Sequence, residues 1–316
     1  MMHDVLPVSF RGPHGHLLFG TLHRPAAPAG DLPAVVLMSP GVKMRVGPGR
    51  LYVPITEALV ARGHTVLRFD FHGLGDSEGE LQETMLADVY NHIEAGRYAG
   101  DALAALEWMR REQGHRRFIV AGLCGGGVTA LYAAQRDPSV EALFAIGITV
   151  TLSSDAVMPA AYLSNAELVN RRKGYLRRLF SLRSWWRLLT FQSEFGVIFR
   201  SLFAKAGKPP KPPVIPAGSA LTPEQLGNLN PMFAPAFFEF LGRGGRALLV
   251  FSEKDREYGD FQEKFAAFHA DRLRAHAPQV TEHLVLGANH VMSLREWQQE
   301  TLAVLDRWLA GASARG

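Results

Sequence analysis

The chain has 316 residues, 47% hydrophobic and 20% charged, a balance that predicts a globular protein and excludes a disordered or fibrous one. No apolar run approaches the roughly 18 residues that a membrane span needs, and Met1 to Phe10 lacks the basic-then-apolar order of a secretory leader. The single cysteine has no partner for an internal disulfide, which fits a reducing, cytoplasmic compartment. The net charge of +4 is unevenly spread: residues 171–211 hold eleven Lys and Arg against one acid, Glu194. That segment is therefore +10 and the rest of the chain −6.

Taken in order, the first half alternates strands with helices. Leu17–His23 and Ala34–Met38 are short apolar runs bounded by Gly and Pro, hence strands. Leu51–Arg62 has helical spacing and stops at Gly63. Thr65–Phe69 is a strand leading into a Gly-rich turn, Gly73 to Gly79. Asp101–Arg111 reads as a helix, Phe118–Ala121 as a strand, Val128–Gln135 as the helix behind it, and Ala142–Ile148 as a buried strand. The alternation then breaks. An aromatic and basic helical stretch, Tyr175 to Phe203, precedes a Pro-rich linker, Lys208–Pro216. It resumes with a strand at Ala247–Phe251, a helix at Phe261–Ala275, a strand at His283–Leu286, and a last helix carrying Leu294, Trp297, Leu302, Leu305 and Trp308. Such alternation predicts a mainly parallel sheet covered by helices on both faces. Residues 1–150 and 241–316 form this core, with 151–240 a helical cap over the edge where ligands bind in open α/β folds.

The strongest local signal is Gly122-Leu123-Cys124-Gly125-Gly126-Gly127, which follows an apolar strand and opens a helix. A turn that tight needs residues nearly free of side chain two before and two after its apex, and Gly122 and Gly126 meet that need. Cys124 would then stand at a helix N-terminus, whose dipole favours thiolate. The Gly125 N–H would face the oxygen of a tetrahedral intermediate. Against this, Gly-rich turns also bind phosphate and a lone cysteine is often inert packing. However, the segment lacks both the P-loop Lys-Ser/Thr and the GxGxxG spacing.

Sheets with such a turn present nucleophile, acid and histidine in that order. After the strand ending at Phe251 comes Ser252-Glu253-Lys254-Asp255, and after the strand ending at Leu286 comes Gly287-Ala288-Asn289-His290. His290 is the expected base and Asp255 the acid that orients it, with Glu253, Glu257 and Asp260 as rivals in the same loop. His92 and His283 read as surface or satisfied core residues. The second oxyanion donor is expected from Ser39-Pro40-Gly41-Val42, at the Val42 amide, unless that is an ordinary Pro-Gly turn. Asp70 and the glycines after it read as structural, holding neighbouring loops.

The turn Asp70-Phe71-His72-Gly73-Leu74-Gly75-Asp76-Ser77, the Cys124 turn, the Glu253-Lys254-Asp255 loop and the Asn289-His290 loop together resemble the α/β-hydrolase superfamily over the whole chain except the cap. More narrowly, the chain is similar to the exosortase-system-associated hydrolases, through Arg45-Val46-Gly47-Pro48-Gly49-Arg50, Gly122-Leu123-Cys124, and Tyr175-Leu176-Arg177-Arg178-Leu179 leading to Trp186-Arg187-Leu188-Leu189. The usual nucleophile of the superfamily is serine. Cys124 resembles the minority with Cys-His-Asp, such as dienelactone hydrolases, which are smaller and lack this cap.

These expectations converge on an acyl hydrolase, an esterase or thioesterase that passes through an acyl-cysteine and acts on a small-molecule acyl ester or thioester. Acyltransfer or elimination on the same site, and an inactive binding module, are the alternatives. Tyr175–Phe191 interleaves aromatics and leucines with arginines. It reads as a packed cap helix, as a dock for an acyl carrier protein, or as a surface for an anionic membrane. Nucleic acid is not expected, since no recognition fold supports it. No metal-ligand spacing or dinucleotide fingerprint occurs, so no cofactor is expected.

Overall fold

The computed structural model describes residues 3–26, 32–83, 86–152 and 228–313. Its strands are β1 (Asp4–Arg11), β2 (Leu17–Arg24), β3 (Ala34–Met38), β4 (Val66–Phe69), β5 (Phe118–Leu123), β6 (Val140–Ile146), β7 (Arg246–Ser252) and β8 (Val280–Val285). They form one sheet in the order β1-β2-β4-β3-β5-β6-β7-β8. The β1–β2 and β2–β4 pairings are antiparallel, and all the others are parallel. The helices are α1 (Tyr52–Ala61), α2 (Leu86–Glu94), α3 (Ala99–Gln113), α4 (Gly125–Arg136), α5 (Phe233–Gly242), α6 (Arg256–Asp260), α7 (Ala270–Ala275) and α8 (Arg295–Ser313). This is the mainly parallel, helix-covered sheet that the alternation predicts.

The pleat explains the apolar strands. In β5, Ile119, Ala121 and Leu123 face Tyr52, Ile55 and Leu59 of α1 and share their core with Leu305 and Trp308 of α8. Phe118 and Val120 face the opposite way, into a core built from α3, α4 and α5. Both faces are dry, so no polar alternation survives in the central strands. The parallel strands all end on one side of the sheet, which gathers there the loops after β3, β4, β5, β6, β7 and β8.

Differences from expectation have physical causes. β1 has no counterpart in the prediction because it is an edge strand, largely exposed and carrying Pro7. α4 starts at Gly125, three residues ahead of expectation, because packing rather than helix propensity dictates its glycines. The helix expected over Phe261–Ala275 is interrupted, with a π turn at Phe261–Ala266 before α7. β8 begins at Val280 and is half-exposed, so its sequence lacks an apolar run.

α5 begins inside the span 151–240 read as a cap, and it buries Phe233, Phe237 and Phe240 in the same core as α4. Residues 153–227 lie outside the described residues. With them go the Tyr175–Phe203 helix, the Lys208–Pro216 linker and the reading of the basic face as a dock for a carrier protein or membrane. At their border Thr151 pairs antiparallel with Leu229, and the Leu152 N–H donates to the Asn228 carbonyl at 2.7 Å. Among the described residues no helix is long and apolar enough to cross a membrane.

Candidate active site

Cys124 stands between the end of β5 and the first residue of α4, with φ 53° and ψ −124°. L-residues avoid this conformation, at a cost of roughly 1–3 kcal/mol. Its surroundings hold it there. The Cys124 N–H donates to the Ile146 carbonyl at 2.9 Å, and its carbonyl accepts from the N–H groups of Gly127 and Val128 at 2.8 and 3.2 Å. The glycines are steric requirements. A Cβ on Gly122 would strike the backbone carbon of Gly126, and one on Gly126 would lie 2.7 Å from the Ser39 carbonyl oxygen. One on Gly125 would lie 2.7 Å from Cγ2 of Ile93. The Gly125 N–H sits in the first turn of α4, where amides lack intrahelical acceptors.

The acid and the histidine arrive on the next loops along the sheet. Asp255 follows β7 and His290 follows β8, with Nδ1 of His290 2.6 Å from Oδ2 of Asp255. The two loops are tied by the Lys254 N–H donating to the Ala288 carbonyl at 2.9 Å. Gly287 adds a second tie, its N–H donating to Oε2 of Glu253 at 2.8 Å. Gly147, at the end of β6, adopts φ +50°, and a Cβ there would lie 3.3 Å from Oδ2 of Asp255 and 3.7 Å from Nδ1 of His290. A side chain at 147 would therefore crowd the pair.

The imidazole lies near enough to the Cys124 thiol for each group to shift the other's pKa. Burial alone would lower the His290 pKa. The hydrogen bond that Nδ1 donates to Asp255 and the contact with Cys124 outweigh it and raise the pKa to about 11. Burial pushes the thiol up, and the neighbouring His290 opposes that. The arrangement is a partly sheltered thiol beside a strong, carboxylate-oriented base.

Of the rival acids, Glu253 is used by the Gly287 N–H and by Lys254, Glu257 by Arg256 at 3.0 Å, and Asp260 by Lys264 at 3.0 Å. The carboxylate that meets His290 is Asp255. His92 and His283 bond to Glu83 and Glu300 at 2.5 and 2.8 Å, away from the thiol. Val42 follows Gly41 in a turn closed by the Lys43 N–H donating to the Pro40 carbonyl at 3.0 Å. Cα of Gly41 lies 3.4 Å from the place of a Cβ on Gly125, so the turn bearing Val42 packs on the first residue of α4.

Asp70 has the scaffold role read from its sequence. Fully buried, it accepts from the Arg45 N–H at 2.6 Å and the Asp76 N–H at 3.2 Å, and pairs with the Arg45 guanidinium. Arg45 also reaches Asp76 at 2.7 Å, so the loops after β3 and β4 are joined. The sequence reading missed Gly147 and Tyr52. A glycine directly after an apolar strand is the signal the sequence offers for the first. A tyrosine in an apolar helix gives none. Among the described residues no group of His, Cys, Asp and Glu is arranged to hold a metal ion.

Residues 22–304 match the model of the "Alpha/beta hydrolase family". No curated protein matches the chain. Similar solved structures include an esterase from Pyrococcus furiosus, with TM-score 0.54 and 16% identity over 96% of this chain and 91% of that one. A dienelactone hydrolase from Anabaena variabilis has TM-score 0.54 and 15% identity over 98% and 99%. An alpha-beta serine hydrolase homologue from Coxiella burnetii has TM-score 0.51 and 14% identity over 96% and 99%. At these identities the likeness is one of fold.

Proposed function

The chain belongs to the alpha/beta hydrolase family, and from that premise we propose that it hydrolyses a small-molecule ester or thioester through an acyl-cysteine intermediate. The observation that carries this is Cys124 held at φ 53° on the elbow, with an imidazole at its thiol whose Nδ1 is 2.6 Å from Asp255. The thiol proton resides on His290, whose raised pKa holds it there, and the thiolate attacks the carbonyl carbon. The carbonyl π electrons move onto oxygen, and the amides of Gly125 and Val42 receive that charge. As the carbonyl reforms, the bond to the leaving oxygen or sulfur breaks and His290 gives it the proton. Water then repeats the sequence on the acyl-cysteine: His290 removes a proton from the water, the carbon–sulfur bond breaks, and the thiol is regenerated. Asp255 keeps the imidazole in one tautomer and stabilises its charged form.

The test is intact-protein mass spectrometry after exposure to a panel of acyl thioesters and activated esters. The wild type is expected to gain one acyl mass that decays with product release, and Cys124→Ala to gain none. A wild type that is neither acylated nor active would sink the reading. Repeating the assay with a nucleophilic acceptor separates hydrolysis from acyl transfer.

A further inference from the structure

Tyr52 opens α1 beneath the elbow and is wholly buried. Its hydroxyl donates to the Met38 carbonyl at 2.9 Å and accepts from the Leu123 N–H at 2.7 Å. Burial pushes the phenol far up, so the proton stays and the direction of both bonds is fixed. Their place in the sheet matters. β3 and β5 pair in parallel as far as Met38 and Gly122, and beyond that register β3 turns into Pro40–Lys43 while β5 turns into the elbow. The hydroxyl supplies one further link where the two backbones have parted.

That link joins two halves of the site. Leu123 is the residue before the nucleophile, and Met38 lies four residues before Val42. The same Met38 carbonyl faces α4, 2.8 Å from the place of a Cβ on Gly126. The ring is seated by Gly47, where a Cβ would lie 3.3 Å from Cδ1 of Tyr52. We propose that Tyr52 is a positioning residue that fixes the elbow bearing Cys124 relative to the turn bearing the Val42 amide. This deepens the reading of hydrolysis through an acyl-cysteine and rests on it.

Two reactions at the same sulfur separate this role from simple support of the fold. Alkylation by iodoacetamide needs the thiolate but no oxyanion donors, whereas acylation by a butyryl thioester needs both. Tyr52→Phe, assayed well below its melting temperature, is expected to slow acylation at least about ten-fold, with the loss in kcat rather than KM. Its alkylation rate should stay within about two-fold of wild type over the same pH range. Unchanged acylation, or an equal fall in both rates, would overturn the proposal. Should Tyr52→Phe fail to fold, Gly47→Ala keeps the hydroxyl but crowds the ring, and the same split is expected at a few-fold. An unmoved ratio there overturns it as well. A wild type that alkylates but is never acylated removes the proposed function and this inference together. One that acylates normally while the variants keep its rate ratio removes only the inference.

Discussion

Cys124 occupies backbone angles that glycine adopts freely and other residues resist. Cys124→Gly should therefore melt at a higher temperature than wild type, with a net gain of about 1 kcal/mol after glycine's added chain entropy is set against relieved strain. The same change removes all acylation, so stability and activity move oppositely. A thermal melt beside the mass assay reads both. His290 gives a second prediction, from pH. Its pKa is raised to about 11 in the folded state, by Asp255 and Cys124 together against burial, while the unfolded value stays near 6.5. The folded protein thus holds a proton that the unfolded chain releases across that interval. The contribution is complete below about pH 6.5 and disappears as pH climbs through about 11. Urea midpoints for wild type and His290→Gln should converge over that range. A gap that widens with alkalinity contradicts the assigned partners.

The elements that bring these residues together are short strands ending in turns, and the turns need bracing. Asp70 braces the turns after β3 and β4 from a fully buried position, through the Arg45 and Asp76 amides and the Arg45 guanidinium. Removing one partner of a buried ion pair costs about 3–5 kcal/mol, and Asp76 keeps a hold on Arg45. Asp70→Ala should accordingly lower the unfolding free energy by about 3 kcal/mol, near the bottom of that range. Its kcat should fall while Cys124 and His290 remain intact. Chemical denaturation at constant pH measures the first and steady-state rates the second. A variant as stable as wild type would show that the loops hold themselves.

At the scale of the whole molecule, the legible parts were those with one strong local cause. Central strands such as Ala34–Met38 announce themselves because both faces are dry and every residue is apolar. The Cys124 turn is visible because sterics forbid side chains at 122 and 126. Asp255 and His290 are visible because topology puts the ends of successive parallel strands side by side. What escaped notice depends on partners remote in sequence. β1 is held by pairing with β2 rather than by its own pattern, and α5 is fixed by phenylalanines meeting α4 and Phe265. The Tyr52 hydroxyl links residues 71 positions apart. A pattern confined to neighbouring residues carries no trace of such bonds.

The stitch between Thr151 and Leu229 has a bearing on how this framework could diversify. Leu152 and Asn228 exchange two bonds, from the Leu152 amide at 2.7 Å and the Asn228 side chain at 2.9 Å. The described backbone on either side of residues 153–227 is thus drawn together into a narrow doorway. A doorway that narrow imposes no span on whatever is spliced between its posts. Closing a longer excursion there costs only slowly more entropy, about 0.6 kcal/mol for each doubling of length. Chain length can therefore change at that point with the sulfur and its imidazole left where they are.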